Sequence, residues 1–185
     1  VDDIRGWNFV SDNNNPMDNN NHGTHVSGIV LGVTQDISLP INNLKPATIR
    51  IMPLKFLAAN GQGSTSDAIE AINYAVANGA SVINASWGGG GYSHALLNSI
   101  VNAYNEQVSF IAAAGNATSN NDGTPTYPAN YSVQNIISIA ASDDSDYLAY
   151  FSNFGKRTVH VASPGELIWS TLPNSGWAQF SGTSM

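Results

Sequence analysis

The sequence predicts an α/β domain in which a doubly wound, mostly parallel sheet is covered by helices on both faces. Apolar segments of strand length alternate with amphipathic segments of helix length between residues 49 and 140, an order that implies parallel strands joined by right-handed crossovers. The 185 residues are 42% hydrophobic and 10% charged, which fits one globular domain with its own core. No internal repeat and no linker divides the chain.

The amino-terminal part is predicted to be a loop followed by a helix. Residues 1–21 are polar and rich in asparagine, a composition that favours turns. From His22 to about Val33, apolar residues recur at three- and four-residue spacing, which predicts a buried helix with an apolar face formed by Val26, Ile29 and Val30.

The middle of the chain continues the alternation. Residues 49–55 predict a strand and residues 60–63 a turn. Ser64 lies three residues before Asp67, a capping arrangement that opens a helix ending at residues 78–79 (Asn-Gly), with an inward face of Ile69, Ile72 and Val76. A buried strand over residues 82–85 and a helix over residues 93–105 follow, the latter with inward residues Leu96, Leu97, Ile100 and Val101.

The remaining predicted elements are strands. Residues 108–114 and 136–140 complete the alternating region, and shorter strand-like pieces cover residues 158–162 and 167–172. In an open α/β sheet the binding crevice lies at the carboxyl ends of the strands. The segments expected there are small and rich in glycine, namely residues 60–63, 86–91 and 113–116. They favour a groove for an extended peptide, since no phosphate-binding glycine motif follows a strand.

Charge and cysteine content exclude several classes of partner and chemistry. Six Lys and Arg against thirteen Asp and Glu give a net charge of -7, which disfavours nucleic acid and anionic membranes as partners. Without cysteine there is no disulfide, thiolate metal site or cysteine nucleophile. Catalysis would therefore use serine, histidine, carboxylates or a hard metal.

Few residues remain as candidates for chemistry. His22 and His25 lie three apart on one predicted helix, so a zinc site is one alternative, although the metalloprotease pattern His-Glu-x-x-His is absent. His22 lies where loop becomes helix and can project into a crevice. Ser184 follows Gly182 and Thr183 in a segment able to form a tight turn. These residues alone indicate an α/β domain with a peptide-sized groove and leave the reaction open.

Three ordered motifs resemble those of the subtilisin-like serine proteases, the subtilases. They are residues 21–28 (Asn-His-Gly-Thr-His-Val-Ser-Gly), 113–116 (Ala-Ala-Gly-Asn) and 182–185 (Gly-Thr-Ser-Met). Supporting matches lie between them, at residues 61–63, 86–88, 127–129, 151–155 and 163–165. The resemblance implies the subtilisin-like three-layer α/β/α fold and endopeptidase activity. It covers nearly the whole chain.

The resemblance also implies residue roles. Ser184 resembles the nucleophile, His22 the general base and acid, and Asn116 the side-chain donor of the oxyanion hole, with Thr183 as a further donor. Substrate would bind as an added strand between Gly61, Gln62, Gly63 on one side and Ser86, Trp87, Gly88 on the other, beside a specificity pocket walled by Ala113, Ala114 and Gly115. His25 matches a non-catalytic histidine of the motif.

The chain departs from the family pattern in its aspartates. Family members carry Asp-Thr-Gly or Asp-Ser-Gly upstream of the histidine motif, and neither triplet occurs here. The aspartates before His22, which are Asp2, Asp3, Asp12 and Asp18, lack that strand and glycine context. Residues 1–185 therefore resemble the span between the Asp and Ser motifs, a catalytic domain incomplete at both ends and expected to be inactive by itself. A catalytically inactive peptide-binding module with the same groove is the alternative.

Cofactor, location and assembly are expectations from the same resemblance. Residues 8–17 resemble a loop that binds calcium in some family members, but the matching positions are neutral: Asn8, Ser11, Asn13, Asn15 and Met17. We expect no metal in the catalytic site and no cofactor for the chemistry, with a structural calcium at this loop as an alternative. We further expect polypeptide substrates, a monomer and secretion from the cell.

Overall fold

The computed structural model describes residues 6–35 and 49–185. Its elements in chain order are β1 (Trp7–Asn8), α1 (His22–Gln35), β2 (Leu54–Lys55), α2 (Thr65–Ala77), β3 (Val82–Ala85), α3 (His94–Asn105), β4 (Ser109–Ala113), β5 (Ile136–Ser142), β6 (Val161–Pro164), β7 (Ile168–Leu172) and β8 (Gly176–Phe180). Strands β3, β4, β5 and β6 form one sheet in that order, and every neighbouring pair is parallel. The predicted α/β class is confirmed.

The core lies between the sheet and the helix pair α2 and α3. Phe110 of β4 and Ile100 of α3 are fully buried there, together with Ile72 of α2. Both helices begin at a serine cap: Ser64 Oγ accepts the N–H of Asp67 at 3.0 Å, and Ser93 caps α3 in the same way. The predicted cap at Ser64 is confirmed, and capping of this kind stabilises a helix by about 1 kcal/mol.

Three apolar residues that were predicted to be buried are exposed. Val82 was expected within a buried strand but is 57% exposed, because the side chains of β3 alternate between two faces: Ile83 and Ala85 pack against the core, and Val82 lies on the opposite, exposed face. Val101 was expected to face inward but is exposed, while Ser99 and Ala103 of α3 are buried in its place. In α1, His25 is the one buried side chain among those described, and Val30 is exposed.

Several element boundaries also differ from the predictions. The predicted loop over residues 1–21 contains β1, which pairs with β2, and the predicted strand over residues 49–55 is reduced to Leu54–Lys55. Pro53 precedes that strand and has no N–H to donate, while its carbonyl accepts the N–H of Trp7 at 3.1 Å. The strand predicted over residues 158–162 begins only at Val161.

The carboxyl-terminal part contains a β-hairpin of which only the first strand was predicted. Strand β7 was expected, but β8, which pairs with it in antiparallel register, was not. Asn174 and Ser175 connect them with φ values of 60° and 63°, a left-handed conformation that closes a tight turn. Ser184 follows β8 by four residues, so this hairpin leads the chain directly into the serine motif.

Candidate active site

The turn that carries Ser184 is hydrogen-bonded to the segment that follows β3. Ser184 Oγ donates to the Ser86 carbonyl at 3.2 Å, and Ser86 Oγ donates back to the Ser184 carbonyl at 3.0 Å. Ser86 is the first residue after the carboxyl end of β3, where a parallel sheet places its binding crevice. This reciprocal pair holds the serine at that end of the sheet.

Asn116 is joined to the same turn. Its Oδ1 accepts the backbone N–H of Thr183 at 2.9 Å and the Thr183 hydroxyl at 3.0 Å. The Thr183 hydroxyl in turn accepts the N–H of Gly115 at 3.2 Å, so the ends of β4 and the serine turn are bound together. The hydroxyl that was predicted as a further oxyanion donor is thus used to hold Asn116.

The other end of the Asn116 carboxamide is free among the described residues. Nδ2 has no hydrogen-bond partner there, and a Cβ placed on Gly182 would lie 3.4 Å from it. Because Oδ1 is held by two donors, the amide cannot rotate without breaking both hydrogen bonds. The two N–H groups of Asn116 therefore lie beside the Ser184 turn with their donor capacity unused.

His22 is the first residue of α1, as predicted, and is half-buried. Burial lowers its pKa, the negative charge of Asp18 partly offsets that effect, and His25 lowers the pKa further. The ring is therefore neutral at pH 7 and able to accept a proton.

Asp18 sets up the beginning of α1. Its carboxylate accepts the N–H groups of Asn20 and Asn21 at 2.8 and 2.9 Å, and both the N–H and the hydroxyl of Thr24 at 2.8 and 2.7 Å. Burial raises its pKa, but these four hydrogen bonds outweigh burial and lower the pKa overall. Asp18 is thus ionised at neutral pH close to His22, whereas Asp2 and Asp3 lie outside the described residues.

Helix α1 docks on the β7–β8 hairpin, which leads into the serine turn. His25 is fully buried, stacks on Phe180 with ring centroids 4.3 Å apart, and donates from Nε2 to the Ala178 carbonyl at 3.1 Å. Ser170 Oγ donates to the His25 carbonyl at 2.6 Å. These contacts make His25 a packing residue. They link the elements that carry His22 and Ser184, although no hydrogen bond joins those two side chains in the described structure.

The predicted groove edges lie next to one another. Gly61, Gln62 and Gly63 are exposed after β2, and Phe56 from the same segment packs edge-on against Trp87 with centroids 5.0 Å apart. Ser86 and Trp87 are partly buried and Gly88 is exposed.

The predicted pocket wall is less open than expected. Ala113 and Ala114 are buried, and the Ala114 carbonyl accepts hydrogen bonds from Asn121 and Asn153. Of the three residues, Gly115 alone is partly accessible. Their role as pocket walls stays a prediction.

The loop over residues 8–17 does not fit a calcium ion. Asn8 Nδ2 donates to the Asn15 carbonyl at 3.0 Å, so an amide N–H takes an oxygen that a cation would use. The side-chain oxygens of Asn8, Asn13 and Asn15 accept backbone N–H groups within the loop. Lys55 and Asp18 both line the same cavity of about 390 Å³, so a cation there would meet charges of both signs.

A zinc site lacks ligands as well. Across residues 6–35 and 49–185, no group of three or more His, Cys, Asp or Glu side chains could hold a metal ion. His25 Nε2 donates to the Ala178 carbonyl, and the His25 ring is fully buried against Phe180.

Comparison with known proteins identifies the family. The sequence profile of the subtilase family matches residues 1–185. The chain belongs to the subtilase family. It is 42% identical over 182 residues to the thermophilic serine proteinase of Bacillus sp. (strain AK1), covering 98% of this chain and 43% of that protein. Thermitase of Thermoactinomyces vulgaris is 38% identical, with 98% and 62% covered.

This subtilase chain has the same fold as a solved structure. The crystal structure of a cold adapted subtilisin-like serine proteinase superposes with a TM-score of 0.83 at 32% identity, covering 97% of this chain and 62% of that one. The chain thus spans less than two thirds of these relatives. One further relative, 39% identical over 97% of this chain and 19% of its own length, is named the cell wall-associated protease of Bacillus subtilis (strain 168).

Two residues of this subtilase site were not predicted. Asp18 lacks the strand and glycine context of the family's Asp motif, and no local pattern marks it as the carboxylate that accepts N–H groups at the start of α1. Asn153 lies in residues 151–155, which match the family, but its side chain accepts the N–H groups of Ala117 and Ser119, which lie 36 and 34 positions earlier in the chain. The sequence carries no signal for that contact.

Proposed function

We propose that this subtilase is a serine endopeptidase that cleaves protein substrates through an acyl-enzyme on Ser184. The observation that carries the proposal is the Asn116 carboxamide, whose oxygen is held by Thr183 and whose N–H groups are unused beside the serine turn. A hydrogen-bond donor that is fixed before the reaction stabilises the oxyanion without reorganisation. One such donor typically lowers the transition-state free energy by about 3–4 kcal/mol.

The proposed sequence of proton transfers uses two residues of the chain. His22 takes the proton of Ser184 Oγ as that oxygen attacks the peptide carbonyl, and returns it to the leaving amine. Ser184 Oγ must exchange its hydrogen bond to the Ser86 carbonyl for one to His22. No aspartate in the family's Asp-Thr-Gly or Asp-Ser-Gly context occurs in residues 1–185 to orient His22. Substrate adds as a strand between the two glycine-rich edges.

One observation favours a second candidate, an inactive peptide-binding module. In the described structure Ser184 Oγ bonds to Ser86 and not to His22. If that arrangement persists with substrate bound, the groove would hold peptides without cleaving them.

A fluorophosphonate probe separates the two candidates. In the intact protein, with its native flanking sequence, the probe should label Ser184, and Ser184→Ala and His22→Ala should each abolish labelling and turnover of a chromogenic peptide. Peptide binding without labelling of the wild type would instead establish the binding module. We also propose, from the family membership, that the protein acts outside the cell as a monomer. Separately, no helix in residues 6–35 and 49–185 has the length and apolar character needed to cross a membrane.

A further inference from the structure

One buried asparagine is hydrogen-bonded to the chain on both sides of Asn116. The side chain of Asn153 is 1% exposed, and its Oδ1 accepts the N–H groups of Ala117 at 2.8 Å and Ser119 at 3.1 Å. Its Nδ2 donates to the Ala114 carbonyl at 3.1 Å. Three hydrogen bonds from a single carboxamide therefore bracket the residue that we assign to the oxyanion hole.

The backbone of Asn153 adds a fourth contact at the residue just before Asn116. Its N–H donates to the Gly115 carbonyl at 2.8 Å. Gly115 has a φ of 111°, and a Cβ at that position would lie 2.5 Å from Asn153 Nδ2. The turn at Gly115 is thus both left-handed and in direct contact with the Asn153 amide, which leaves little freedom for Asn116 to move.

The orientation of this amide is fixed by neighbours that are themselves held in place. Nδ2 also donates to Asn121 Oδ1 at 3.0 Å and lies 3.2 Å from the Thr126 hydroxyl oxygen. Asn121 is 1% exposed and donates to the same Ala114 carbonyl at 2.9 Å. Because Oδ1 faces N–H donors and Nδ2 faces acceptors, an amide fits this position and a carboxylate or an apolar side chain does not.

We infer that Asn153 is a positioning residue for catalysis: it holds the segment over residues 114–119 so that the N–H groups of Asn116 stay beside the Ser184 turn. Asn153 does not touch the reacting atoms and acts through Asn116. The inference rests on the proposed function, since it matters only where an oxyanion forms at Ser184.

The test is a double-mutant cycle in the intact protein. Asn153→Ala should lower kcat by about tenfold or more and change KM by less than about twofold, because a displaced donor is missed mainly when charge develops on the oxygen. In an Asn116→Leu background the same substitution should lower kcat by less than about twofold, since the donor that it positions is already absent. The affinity of a peptide boronic acid should fall with kcat/KM.

A matched control separates positioning from simple destabilisation. Asn135→Ala also deletes an amide hydrogen bond, that of Nδ2 to the Val108 carbonyl at 2.8 Å, but at the amino end of β5, away from Asn116. It should lower the melting temperature and leave kcat unchanged. If Asn153→Ala does not fold, Asn153→Ser, which keeps a hydroxyl at the site, takes its place in the cycle.

The outcomes distinguish the two claims. An active wild type in which the Asn153 substitution leaves kcat unchanged, or costs the same factor with and without Asn116, would overturn the positioning role and leave the endopeptidase standing. A wild type that neither turns over peptide nor reacts with the fluorophosphonate would overturn the endopeptidase and, with it, this role.

Discussion

The contact between helix α1 and the β7–β8 hairpin has room for a glycine and nothing larger, which makes Gly28→Ala a sharp test of the site. A Cβ at position 28 would overlap the hydroxyl oxygens of Ser170 and Thr171. Neither hydroxyl is free to turn away, because each donates to a backbone carbonyl of α1, at 2.6 Å for Ser170 and 3.2 Å for Thr171. The added methyl group must push α1 away from the hairpin.

The expected loss of stability follows from these contacts. Overpacking of this kind costs about 1–3 kcal/mol, and weakening two hydrogen bonds adds about 2 kcal/mol. Replacing glycine by alanine within a helix returns about 1 kcal/mol. We therefore expect the free energy of unfolding to fall by about 2–4 kcal/mol. Because α1 begins at His22 and the hairpin leads to Ser184, a shift of about 1 Å should also lower kcat by about 100-fold.

Gly32→Ala is the matched control on the same helix. No described atom lies within 4 Å of the position that its Cβ would occupy, so alanine should stabilise the protein by about 0.5–1 kcal/mol with kcat unchanged. Stability is measured by denaturant unfolding in a Ser184→Ala background, which prevents self-cleavage, and kcat in the active protein with a chromogenic peptide. If the two substitutions behaved alike, the close contact at Gly28 would not control the site.

Three further predictions follow from the site. Asn116→Leu should lower kcat by about 10²–10³-fold with little change in KM, and a normal kcat with a raised KM would make Asn116 a substrate-binding residue. The acid limb of the pH profile of kcat/KM reports protonation of His22. Asp18→Asn should move the midpoint of that limb to lower pH, because the Asp18 charge raises the pKa of His22. An unchanged or higher midpoint would refute that coupling. Asn8→Ala should lower the melting temperature equally in calcium and in EGTA, because an amide hydrogen bond to Asn15 closes the loop, and a larger loss in calcium would reveal a bound ion.

Local sequence signals predicted an element well wherever the capping residue, the apolar periodicity and the turn residues all indicated the same element. Helix α2 is an example: Ser64 caps it, Ile72 is buried, and Gly79 ends it with a φ of 76°. These features depend on neighbours within a few residues along the chain. Elements stabilised by distant partners were harder to predict. Strand β1 is two residues long and exists because β2 lies beside it, and Val82 is exposed because it lies on the face of β3 opposite to the core.

The sequence by itself determined the α/β class and, through three ordered motifs, the subtilase family and the candidate residues His22, Asn116 and Ser184. Residue types and their order along the chain are sufficient to identify the family and the candidate residues, because a motif shows which chemical groups are present. Only the tertiary structure decided how those groups are held. Asn153 contacts Ala117 across 36 positions of the chain and Ser86 contacts Ser184 across 98. Contacts at such separations depend on the packing of the whole sheet, which no local pattern encodes.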